Sequence, residues 1–151
     1  MNKQRNKKSG FSLIELIITV AIVAVLTAVA LPSFRDYLVR VELSELALKF
    51  DQMEFILNVH YQQNGSYPND THIIPPAGVD MPDYWLDETL IGGNFNWEGP
   101  NNYPYAGISI LGATAPERHI QMLDRLIDNG DINSGKFRLT PNGRHTYILD
   151  E

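Results

Sequence analysis

One carboxylate, Glu15, stands in a stretch that otherwise carries no charge: FSLIELIITVAIVAVLTAVAL, Phe11 to Leu31. Ahead of it, Lys3, Arg5, Lys7 and Lys8 give the first ten residues a charge of +4 with no acid. A carboxylate at the centre of a membrane-spanning helix costs about 2.5–3.5 kcal/mol, and less near an end. The chemistry that offsets such a cost is a countercharge. A cut after Gly10 would leave a free amine on Phe11, and Glu15 of a neighbouring copy would neutralise it. Elsewhere the chemistry-bearing residues are sparse. The four histidines, His60, His72, His119 and His145, form no H-E-x-x-H or H-x-H pattern. There is no cysteine, which excludes disulfides and thiolate metal sites. No G-x-S-x-G elbow and no glycine-rich phosphate loop is present. Asp128, Asp131 and Asn133, in DNGDINSG, are weak candidate oxygen ligands for calcium, but the spacing is not that of an EF-hand and lacks its terminal glutamate. Asp and Asn after a helix are also ordinary turn residues.

The element that must position Glu15 is a helix. Residues 11–31 would span roughly 30 Å, the thickness of a bilayer core. The bases before it place the N-terminus in the cytoplasm and the body outside. A cleaved secretory signal peptide, with a site near Ala30, and a plain signal anchor are the two simpler readings. Neither accounts for Glu15.

Beyond Pro32 the chain stays helical in pattern. Val39, Leu43, Leu46, Phe50, Met53, Leu57 and Tyr61 recur at spacings of three and four, one stripe of an amphipathic helix. Asn64-Gly65 ends it. One helix over residues 12–64, bent at Pro32, is therefore expected. Phe34, Leu38, Val41, Leu48, Phe55 and Val59 fall partly off the stripe, and two readings stand for them: a wide core face, or contact with neighbouring subunits.

Lys7-Lys8, Gly10-Phe11-Ser12-Leu13-Ile14-Glu15-Leu16 and the apolar run after them resemble the class III signal of type IV pilins and type II secretion pseudopilins. The stretch YQQNGSYPND, Tyr61 to Asp70, resembles the turn that closes the long helix in many of these proteins. The resemblance implies that a prepilin peptidase cuts after Gly10 and that the new N-terminus, Phe11, is methylated. It implies that Glu15 is the assembly acid and Pro32 the helix-bending proline. It also implies polymerisation with copies of itself and other pilin-like subunits, on an inner-membrane assembly platform.

The head reads as α+β. Residues 69–105 are rich in Pro, Gly and Asn yet carry Tyr84, Trp85, Phe95, Trp97, Tyr103 and Tyr105, so an ordered loop is expected, with a short strand near residues 95–98. These aromatics either anchor the loop to a sheet or recognise a sugar or protein. Residues 106–111, 136–139 and 145–149 read as strands, the last two joined by Pro141-Asn142-Gly143. Pro116 opens a helix whose Ile120, Leu123, Leu126 and Ile127 line one face. The expected organisation is a leader (1–10), a membrane or filament-core helix (11–31), its amphipathic continuation (32–64) and a small antiparallel sheet head with an inserted helix (65–151). Many pilins staple the C-terminal region with a disulfide, which this chain cannot form.

The net charge of −6, after the +4 of the leader, leaves −10 on the rest, and residues 50–117 hold nine acids and no Lys or Arg. That balance argues against nucleic acid as a partner. Arg118, Arg125, Lys136, Arg138 and Arg144 form the one basic cluster that a DNA-binding pilin would need. The expectation is a non-enzymatic filament subunit without a cofactor, inserted once through the inner membrane with its head outside the cytoplasm and then part of a periplasmic pseudopilus or a surface pilus. The alternatives are a scarce ligand-binding tip subunit and a membrane-anchored protein that does not polymerise.

Overall fold

The computed structural model describes residues 10–151; the basic residues ahead of the apolar run, Lys7 and Lys8 included, lie outside the described residues. Helix α1 (Leu13–Asn64) is followed by a long loop with a 3₁₀ turn at Asp83–Leu86, then β1 (Asn94–Glu98), β2 (Ala106–Leu111), α2 (Glu117–Ile127), β3 (Phe137–Leu139) and β4 (His145–Asp150). The chain divides into two compact units, residues 1–38 and residues 39–151.

In the first unit α1 is apolar and unburied. It is long and apolar enough to cross a membrane, and none of its most apolar 18-residue window is buried within the chain. Its hydroxyls are satisfied inside the helix: Thr19 Oγ1 donates to the Glu15 carbonyl at 2.6 Å and Thr27 Oγ1 to the Val23 carbonyl at 2.8 Å. Such back-bonding leaves neither threonine hydroxyl seeking water, as an apolar surrounding requires. Pro32 lies within the helix, where it offers no N–H to the carbonyl four residues back.

In the second unit the expected stripe becomes the core. Leu43, Leu46, Phe50, Met53 and Leu57 are buried, with Ala47 beside them. Phe50 sits at the centre, with ring centroids 5.7 Å from Phe95, 5.8 Å from Phe137 and 5.5 Å from Tyr147. The stripe is narrower than its ends suggest, for Tyr61 is exposed and Val39 only half-buried. The wide-face reading fails for the flanking residues: Leu48 and Phe55 are about two-thirds exposed, and Val41 and Val59 are also exposed.

The sheet runs β1-β2-β4-β3, antiparallel throughout, with α2 and β3 inserted between the neighbours β2 and β4. Alternation puts Phe95, Trp97, Ile108, Ile110, Phe137 and Tyr147 in the core shared with α1. The β3–β4 hairpin closes as expected, through Gly143 N–H to the Thr140 carbonyl and Thr140 N–H to the Arg144 carbonyl, both 2.9 Å. Gly143 takes φ +81°, a conformation that favours glycine. On α2 the buried set is Ile120, Leu123 and Asp124, while Leu126 is 47% exposed. Residue 124 lies one turn beyond 120 and faces inward, whereas 126 falls between turns on the flank.

The loop before β1 is anchored by its aromatics. Trp85 is buried, stacks on Phe95 and donates Nε1–H to the Ile73 carbonyl at 2.8 Å; Trp97 donates to the Pro68 carbonyl at 3.0 Å. For Trp85, Phe95 and Trp97 anchoring is the role the structure shows.

Candidate processing and assembly site

Gly10, Phe11 and Ser12 precede the first helical residue, and Phe11 is 90% exposed. Nothing among the described residues approaches the space a Cβ on Gly10 would fill. The fold itself therefore does not require glycine there. The Gly10–Phe11 bond is exposed and non-helical, the state in which a protease can reach a peptide bond.

Glu15 has a local partner that the sequence reading missed. The Ser12 N–H donates to Glu15 Oε2 at 2.8 Å. Ser12 is the residue before the helix and Glu15 is its third residue, so the carboxylate reaches back to an amide that the helix leaves unpaired. The signal was present as Ser12-x-x-Glu15 ahead of an apolar run. Glu15 thus caps its own helix and, being exposed, keeps its other oxygen free of described partners. Pro32 lies in the same helix, with no contact that joins it to Glu15.

Asp128, Asp131 and Asn133 lie in the turn after α2 and are engaged there. Asp128 Oδ2 accepts from the Lys136 N–H; Asp131 Oδ1 accepts from the Asn133 N–H at 3.1 Å and Oδ2 from Ser134 Oγ at 2.8 Å. Those bonds hold the Asp131 carboxyl below its ordinary range. Among the described residues no three acidic or histidine side chains gather as metal ligands do. The donor set fits a self-bonded turn rather than a cation cage. Asp124, fully buried nearby, accepts no hydrogen bond of normal geometry on either oxygen. Burial, with the negative charges of Asp128 and Asp131, pushes its pKa up to about 6.

The basic cluster of the C-terminal third is largely consumed in ion pairs. Lys136 Nζ meets Glu54 Oε1 at 2.6 Å, Arg138 pairs with Glu151, and Arg144 Nη1 meets Glu98 Oε1 at 2.9 Å. The Glu54 carboxyl is raised by burial but lowered further by Lys136 and Tyr147, and ends below its ordinary value. Glu98 is completely buried and accepts five hydrogen bonds: from Ser109, Asn142 and Arg144 on Oε1, and from Tyr105 and Thr146 on Oε2. This clamp ties β1, β2, the Tyr105 loop and the β3–β4 hairpin together. It was not legible in the sequence because its six members lie up to 48 positions apart.

Comparison with known proteins bears on the N-terminal site. Residues 5–31 match the family described as the prokaryotic N-terminal methylation motif. The chain is 40% identical over 75 residues to a type IV major pilin protein, PilE1, of Neisseria gonorrhoeae, covering 50% of this chain and 33% of that one. It is 37% identical over 76 residues to a fimbrial protein of Moraxella nonliquefaciens, covering 50% and 49%. It is 40% identical over 63 residues to a fimbrial protein of Neisseria meningitidis serogroup A, covering 42% and 37%. The chain thus spans between a third and a half of the length of these curated relatives. No solved structure matches it. With a methylation motif over residues 5–31, an unburied apolar helical segment behind it and an α+β head, the chain is similar to type IV pilins over its N-terminal half.

Proposed function

We propose that this protein is a structural subunit of a type IV pilus. A prepilin peptidase cuts it after Gly10, Phe11 is methylated, and the subunits polymerise through the apolar part of α1. The observation that carries this reading is the methylation motif running directly into a helical segment, up to residue 38, that finds no burial among the described residues. Such a surface needs lipid or other copies of itself. The printed names of the relatives favour a pilus over a type II secretion pseudopilus. In this reading the precursor spans the inner membrane once with its head outside the cytoplasm, and passes to the filament through an assembly platform. Glu15 pairs with a neighbour's Phe11 amine, one charge pair in an apolar core, which sets register more than it adds stability. The role is structural and no catalysis is assigned to it.

The test is mass spectrometry of the N-terminus, on membranes and on material sheared from cells. An N-methylated peptide beginning at Phe11 and abundant in sheared filaments is expected. The same peptide confined to membranes would move the chain to a pseudopilus or a scarce minor subunit. A chain beginning at Met1, or cut near Ala30, would overturn the reading.

A further inference from the structure

A cleft of about 330 Å³ opens on the head between the end of α1 and the loop leading into β2. Four tyrosines line it: Tyr61 and Tyr67, with ring centroids 4.8 Å apart, and Tyr103 and Tyr105, 5.6 Å apart. Ser66, Asp150 and Glu151 are its other polar side chains, and glycine, proline and alanine complete the lining. No Lys, Arg, His, Asn or Gln contributes to it.

The tyrosine hydroxyls are mostly turned to other work. Tyr67 OH donates to Asn58 Oδ1 at 2.7 Å, Tyr105 OH to Glu98 Oε2 at 2.9 Å, and Tyr103 OH accepts from Arg144 at 3.4 Å. Three of the four rings are thereby fixed, and their polar ends are occupied. A ligand meets tyrosine rings, carboxylate and the one hydroxyl of Ser66. Glu151 is paired with Arg138, whereas Asp150 has no ion-pair partner among the described residues. The nearest base whose charge reaches Tyr67, Lys136, is held by Glu54 and Tyr147.

Electron-rich ring faces attract cations, and more strongly where water is excluded. An unpaired carboxylate at the rim adds to the same sign of field. A sugar would need donors as well as acceptors, and this lining offers few donors. From this we infer that the cleft binds an alkylammonium group, primary or quaternary, seated against the tyrosine rings with Asp150 as its counter-ion. The chain already makes this contact internally, with Lys136 Nζ 4.6 Å from the Tyr147 ring centre. The inference rests on the head alone and holds whether or not the chain polymerises.

The experiment is calorimetric titration of the full chain in maltoside micelles with choline chloride, against sodium chloride at equal ionic strength. Saturable binding in the millimolar range or tighter is expected. Tyr61→Ala and Asp150→Asn both alter exposed side chains, and circular dichroism would verify the fold. Each is expected to weaken binding about three- to fivefold. N-acetyl-lysine amide distinguishes the source of the cation. Tighter binding of choline points to a quaternary headgroup, and tighter binding of the lysine amide to a protein side chain. The uncharged isostere 3,3-dimethylbutan-1-ol is expected not to bind. Equal binding of that alcohol, saturable binding of methyl glucoside instead, no saturable binding of either cation, or unchanged affinity in both variants would overturn the inference.

Discussion

Glu15 is asked to do two things, and a pair of substitutions separates them. Glutamine keeps an oxygen that can accept the Ser12 N–H but carries no charge; alanine loses both. If the charge drives assembly, Glu15→Gln and Glu15→Ala should both be inserted and cleaved yet fail to yield filaments. If the cap is what matters, Glu15→Gln should assemble as the unaltered chain does, which a count of sheared filaments by electron microscopy would show. Gly10 answers a different question. Its side-chain space is open, so Gly10→Val should leave the head's thermal melt unchanged while the precursor remains uncut on a gel. At the head, removing one donor from Glu98 leaves the rest of a buried carboxylate's partners short. Arg144→Ala is expected to destabilise the head by about 3–5 kcal/mol, since an uncompensated buried charge is costly. Denaturant unfolding would measure it.

Among the elements, α2 and β4 give opposite responses to pH. Asp124 on α2 has its pKa raised to about 6, so the folded state holds a proton that the unfolded state, near 3.8, releases. Its contribution is present at low pH and is lost as pH rises through 6. His145 on β4 is lowered by burial, so its contribution is present above 6.5 and is lost as pH falls toward the depressed value. Asp124→Asn should therefore raise the melting midpoint at pH 7, on the order of 5 °C, and remove the fall in stability between pH 4 and 6. Melts across pH 4–8 would show it. Most elements were legible in the sequence because each rests on local pattern. The 3–4 spacing of Leu43 to Leu57 marked the buried face of α1, and Pro141-Asn142-Gly143 marked the hairpin. Asp124 was missed because an acid at a core-facing position contradicts the periodicity rule, and Leu126 was placed there instead. The Glu98 clamp and the tyrosine cleft were invisible for another reason: they are assembled by strand order and loop path, which no local window contains.

At the scale of the whole molecule, every buried core side chain among the described residues lies at or beyond Leu43. A chain beginning at Val39 should therefore retain a cooperative thermal transition and the near-ultraviolet signature of its packed aromatics. Loss of both would show that residues 1–38 stabilise the head. The first part of α1 has the reverse character, with its apolar side chains exposed and its hydroxyls already bonded to its own carbonyls. One part of the chain thus carries the fold, and the other carries the surface that the proposed filament would cover.

The Glu98 clamp has a last consequence. It fastens the final hairpin to the rest of the sheet with hydrogen bonds and one guanidinium, in a chain that has no thiol at all. Closing it takes no electron acceptor and no bond-shuffling catalyst. The head should mature at the same rate and to the same yield in oxidising and strongly reducing surroundings, so the supply of folded subunits would be set by synthesis and export rather than by the redox state of the compartment that receives them.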